Sequence, residues 1–116
     1  IWASSMFRFE PNIDSSFLTA PLVIGKNITI QGNGNVLIDF QGSMANGLLI
    51  NAAKSLTLEN MNVNGGNGVT STVVNNGILN LKSSTINGSN LPVVQNNNGA
   101  NVEIIANSGQ SNIKQN

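Results

Sequence analysis

The chain has 116 residues, no formal net charge and only 9% charged residues, so its charge balance draws it neither to nucleic acid nor to an anionic membrane. It contains no cysteine and no histidine, which excludes disulfides and thiolate chemistry and removes the most frequent general base and metal ligand. No apolar run reaches the roughly 18 residues of a membrane-spanning helix.

Residues 1–21 stand apart. Trp2, Phe7, Phe9 and Phe17 supply all the aromatics except Phe40, with Arg8, Glu10 and Asp14 among them. A stacked repeat cannot leave its apolar end open, so the expectation is an N-terminal cap over 1–21, with a short helix and then an extended piece within 1–17. The start at Ile1, without a signal-peptide layout, is expected of a segment of something longer.

From Leu22 onward the chain repeats. Leu56/Leu58, Leu79/Leu81 and Val102/Ile104 each bracket one polar residue, and successive pairs lie 23 residues apart. Ile28/Ile30 is an earlier copy at a longer step of 28, and Gly42, Gly65 and Gly88 also recur every 23 residues. A repeat of this length, built of period-2 strands and turn residues, predicts a solenoid.

The expected fold is all-β, a right-handed single-stranded parallel β-helix of three to four coils over 22–116, one domain. The first coil, 22–51, holds Ile28-Thr29-Ile30, the run 36–40 and Leu48-Leu49-Ile50. The second holds Leu56-Thr57-Leu58, Met61-Asn62-Val63 and Val73-Val74. The third holds Leu79-Asn80-Leu81, Ser84-Thr85-Ile86 and Val93-Val94, and the fourth starts at Val102-Glu103-Ile104 and runs out near Ile113. The tail, 107–116, has few apolar residues and is expected to fray or to stack on a continuation. Asn33-Gly34, Asn64-Gly65, Asn87-Gly88 and Asn98-Gly99 are the expected corners, because both residue types tolerate positive φ. A string of antiparallel hairpins is the competing reading of those steps, but hairpins need no 23-residue register.

Superposed coils dictate columns. Ile28, Leu56, Leu79, Val102 and Ile30, Leu58, Leu81, Ile104 become core. Thr29, Thr57, Asn80, Glu103 and Gln31, Glu59, Lys82, Ile105 point outward, which predicts a Glu59–Lys82 ion pair across adjacent strands. Asn51, Asn75 and Gln95, each following an aliphatic pair, predict an amide ladder.

Catalytic chemistry is hard to assemble. Glycoside cleavage needs two carboxylates about 5–10 Å apart, and the acids are Glu10, Asp14, Asp39, Glu59 and Glu103. Glu10 and Asp14 fall in the cap, and Asp39 reads as an outward strand residue or a partner for Lys26. The expectation is no enzyme, no catalytic residue, no metal site and no cofactor.

Asn27-Ile28-Thr29-Ile30-Gln31-Gly32-Asn33-Gly34-Asn35 followed by Val36-Leu37-Ile38-Asp39-Phe40, then Ser55-Leu56-Thr57-Leu58-Glu59-Asn60-Met61-Asn62-Val63-Asn64-Gly65, resembles the coils of pectate-lyase-like right-handed β-helices. Gly77-Ile78-Leu79-Asn80-Leu81 through Thr85-Ile86-Asn87-Gly88 continues the likeness, which covers 22–104 and is nearest to the adhesive domain of Gram-positive surface proteins. The resemblance implies a module outside the cell that binds rather than cleaves. The calcium-binding acids and catalytic arginine of the lyases find no matching positions here. Thr29, Thr57, Asn80, Asn62 and Thr85 are the candidate contact surface, with a glycan or a host or cell-surface protein as partner and end-to-end self-association as a further expectation. The alternative is a partial or degenerate polysaccharide lyase or hydrolase.

Overall fold

The computed structural model describes residues 4–8, 15–17, 22–40, 47–65, 71–88, 92–105 and 112–115. These form β1 (Ser4–Arg8), β2 (Ser15–Phe17), β3 (Leu22–Ile24), β4 (Asn27–Asp39), β5 (Leu48–Ile50), β6 (Ser55–Asn64), β7 (Val73–Asn75), β8 (Ile78–Lys82), β9 (Thr85–Gly88), β10 (Val94–Asn96), β11 (Asn101–Ile105) and β12 (Asn112–Gln115). Among the described residues there is no helix. Within 1–21 they give two strands, β1 and β2, both parallel partners of β4, where a short helix and an extended piece were expected.

Every pairing among the described strands is parallel, and the antiparallel hairpin reading falls with that. One sheet runs β1-β4-β6-β8-β11, with β2 beside β4 and β9 beside both β6 and β12; the other runs β10-β7-β5-β3. Ile28 lies opposite Leu56, Leu56 opposite Leu79 and Leu79 opposite Val102, so the aliphatic columns stand in the predicted register. A second column takes Ile38, Val63, Ile86 and Ile113. A third takes Leu22, Leu48, Val73 and Val94. β12 pairs with β9 and extends the stack within the tail expected to fray or to stack on a continuation.

Inward positions alternate with outward ones along each strand, as the pleat requires. In β6 Leu56 and Leu58 are buried, Thr57 and Glu59 partly exposed, and then Met61 and Val63 are buried again. The change of phase between Leu58 and Met61 occurs at Asn60, whose φ of 53° is left-handed, and Ser83 repeats it at 54° one layer on. One left-handed residue thus bends the strand and returns the next apolar residue to the core. Ser84, buried after the second bend, accepts from the Met61 N–H at 3.2 Å and donates to the Lys82 carbonyl at 3.1 Å. In β4 the same bend takes three more residues, with a register irregularity between Gln31 and Val36.

The glycines at 65 and 88 turn no left-handed corner. Among the described non-strained steps they serve close approach instead, and of the expected corners only Gly99 has a positive φ, 86°. Phe40 N–H donates to the Asn64 carbonyl and Gly65 N–H to the Asn87 carbonyl, so the residues in line are Phe40, Gly65 and Gly88. Gly42 lies outside the described residues. Across from that line stand Gly47, Thr72 and Val93, likewise related by their hydrogen bonds. Large residues stand against small ones: Phe40 against Gly47, and Thr72 against both Gly65 and Gly88, where its Oγ1 fills the space a Cβ would need. A Cβ on Gly47 would meet the Phe40 ring, and one on Gly65 would run into the Thr72 side chain. Dense interiors with no free volume demand this compensation.

Candidate functional site

The outward columns form as the repeat dictates. Thr29, Thr57, Asn80 and Glu103 stand opposite one another in turn, about 4.8 Å from strand to strand. Asn80 Nδ2 donates to Thr57 Oγ1 at 3.3 Å, so neighbouring members of the column hold each other in place. Asn62 and Thr85 pair beyond the bend. The candidate contact residues thus lie in two columns, one on each side of the Asn60 and Ser83 bends.

Gln31, Glu59 and Lys82 make the parallel column. Glu59 and Lys82 lie opposite each other, yet the described residues carry no ion pair between them. The Glu59 carboxylate accepts from Gln31 Nε2 at 3.4 Å instead. A surface lysine gains too little from an exposed partner to offset the ordering of both chains. The Asp39 side chain lies outside the described residues, as do Glu10 and Asp14.

The amide ladder exists, but in a different register. Ile50 lies opposite Asn75, and Asn75 opposite Asn96. Asn75 therefore continues the inward line of Ile24 and Ile50 and is fully buried. Asn51, Asn76 and Asn97 are the equivalent residues one step later, each N–H donating to the strand beneath. Relative to Asn51 the expected column shifts by one residue, from Asn75 to Asn76, and by two, from Gln95 to Asn97. The reason is that β5 begins one residue before the pair Leu49-Ile50, β7 begins on Val73 and β10 begins one residue into the pair Val93-Val94.

Asn75 is inward for a backbone reason. One residue, Gly77, separates Asn76 from Ile78, whereas three separate Asn51 from Ser55 and three separate Asn97 from Asn101. Those longer connections close with turn hydrogen bonds, Lys54 N–H to Asn51 O and Ala100 N–H to Asn97 O. At the short one the Asn75 amide does the work: Oδ1 accepts from the Gly77 N–H at 3.0 Å, and Nδ2 donates to Asn101 O at 2.9 Å and Asn96 Oδ1 at 2.8 Å. Gly77 is required there, since a Cβ would strike the backbone oxygens of Asn51 and Lys54.

Outside this amide, Asn97 Nδ2 donates to Asn76 Oδ1 at 2.6 Å and Gln95 Nε2 to Asn97 Oδ1 at 2.9 Å. The doublets Asn75-Asn76 and Asn96-Asn97, 21 residues apart, were the available signal, obscured by the 23-residue step elsewhere.

Chemically the described surface offers mostly neutral hydroxyls and amides in rows, with Glu59, Lys82 and Glu103 as charged members. No three acidic side chains converge to hold a metal ion among the described residues, and no helix is long and apolar enough to cross a membrane. Comparisons with protein-family models, curated proteins and solved structures return no match.

Proposed function

We propose that this chain is a non-catalytic adhesive or structural module displayed outside a bacterial cell, presenting a polar Asn/Thr/Ser face to a glycan or a protein. We further infer that its strands wind as a right-handed parallel β-helix of three to four coils, of the pectate-lyase-like kind that its coils resemble. Stacked parallel strands at steps of 21–28 residues support the winding, and the near-universal right-handedness of parallel crossovers supports the hand. The observation that carries the function is the row Thr29–Thr57–Asn80, neutral, partly exposed and braced by its own hydrogen bond. Pre-organised polar rows lower the entropy lost on binding.

The test is binding of the purified chain to a panel of polysaccharides and to cell-surface protein, against a Thr57→Lys/Asn80→Lys variant with unchanged circular dichroism. Binding that the variant loses supports the reading. Equal binding by both chains refutes the surface, and release of unsaturated or reducing ends from pectin or alginate refutes the non-catalytic assignment.

A second reading is self-association. Ile104 is 50% exposed and Ile113 39% exposed, although both continue buried columns, and among the described residues β11 has no partner beyond it. An open edge of this kind templates further strands. Light scattering that is flat across concentration excludes it.

A further inference from the structure

We propose that Asn98–Gly99 is a site of spontaneous succinimide formation, converting Asn98 to aspartate and isoaspartate in the folded chain. The observation is a contrast among four of the chain's seven Asn-Gly pairs, Asn64-Gly65, Asn76-Gly77, Asn87-Gly88 and Asn98-Gly99. Gly65 N–H donates to the Asn87 carbonyl at 2.9 Å, and Gly77 N–H donates to Asn75 Oδ1 at 3.0 Å. Asn87 and Gly88 lie within strand β9, whose parallel partners β6 and β12 flank it on both sides. Each of these three amide nitrogens is engaged or held in extended backbone.

Asn98 and Gly99 differ on every count. They are the two central residues of the turn closed by Ala100 N–H to Asn97 O, both are exposed, and the Gly99 N–H donates to no described residue. Gly99 takes φ +86°, and no heavy atom lies within 4 Å of where a Cβ on it would stand, so no neighbouring group crowds this side of the turn. Exposed turns with unengaged N–H groups are also the segments that open most readily.

The chemistry needs only water. The Gly99 amide nitrogen gives up its proton and attacks Asn98 Cγ. A C–N bond closes a five-membered imide, and the side-chain nitrogen leaves as ammonia with that proton. Water then opens the ring at either carbonyl. Opening at the side-chain carbonyl leaves aspartate, and opening at the main-chain carbonyl leaves isoaspartate, in which the main chain runs through Cγ. Either product adds a negative charge to a turn whose Asn97 joins the amide ladder.

The experiment is ageing of the full chain in mildly alkaline buffer, folded and in concentrated urea, followed by peptide mass mapping and isoaspartate-specific methylation. In the folded chain conversion at position 98 should outrun positions 64, 76 and 87 by about tenfold or more. In urea the four pairs should react at comparable rates, which also shows that each can react. Gly99→Ala should slow conversion at 98 in both states, leaving the other three unchanged. Folded-state rates at 98 no faster than at the other three positions overturn the proposal, as does a Gly99→Ala chain that converts at the original rate.

Discussion

Asn75 looks, in its column, like a place for an aliphatic side chain: Ile24 and Ile50 precede it, and no water reaches it. Asn75→Leu would gain apolar burial yet strip the Gly77 N–H and the Asn101 carbonyl of their partner. An orphaned buried group costs about 1–3 kcal/mol. Denaturant unfolding should therefore show a loss of about 2–4 kcal/mol, and a more stable variant would refute the account. Ala53 makes the opposite case. Its φ is 63°, at the turn position that Gly99 occupies in the equivalent connection. Left-handed backbone costs a residue with a Cβ about 1–2 kcal/mol, and glycine returns part of that as unfolded-chain entropy. Ala53→Gly should raise stability by about 0.5–1 kcal/mol, seen as a higher thermal midpoint. A lower midpoint would mean that the turn carries no strain.

At the level of the strands, the alternation in Leu56-Thr57-Leu58 announces inside and outside directly, because the pleat has a period of two. The bend at Asn60 is less legible, since Ser83 performs it one layer on without any turn-forming doublet. The glycines show the difference most clearly. Their 23-residue recurrence suggests corners, whereas Gly65 is small because Thr72 occupies the space beside it. Gly65→Ala should destabilise by about 1–3 kcal/mol through overpacking. In a Thr72→Ala background the same change should cost at least about 1 kcal/mol less, since contacting residues couple. Simple additivity in that double-mutant cycle would dissociate the two positions. The outward Thr29, Thr57 and Asn80 could be found from alternation alone; the Asn76–Asn97 pair could not, because it depends on how long each connection is.

For the molecule as a whole, the stacking carries apolar columns inside and polar columns outside in which charged members such as Glu59, Lys82 and Glu103 are few. Burying each Leu, Ile or Val of the core contributes roughly 1.5–3 kcal/mol, and that term hardly responds to screening. Glu59 makes its contact with the neutral Gln31 amide and forms no pair with Lys82. Adding sodium chloride to a few tenths molar should therefore shift the unfolding free energy by less than about 0.5 kcal/mol. A larger fall would reveal ion pairs that carry the stack. All pairings among the described strands join segments 21 or more residues apart, so the columns appear only when distant parts of the chain meet. Such topologies fold slowly.

Inside-outside alternation, the 23-residue step and the identity of the aliphatic columns belonged to the sequence alone, because a two-residue period and a fixed repeat are local properties of the chain. Tertiary structure decided which amide lies under which, why Asn75 is buried, and that Phe40 shares a line with Gly65 and Gly88. Those outcomes depend on the number of residues spent at each connection and on the volume of whatever stands across the core. Neither quantity repeats with the strands.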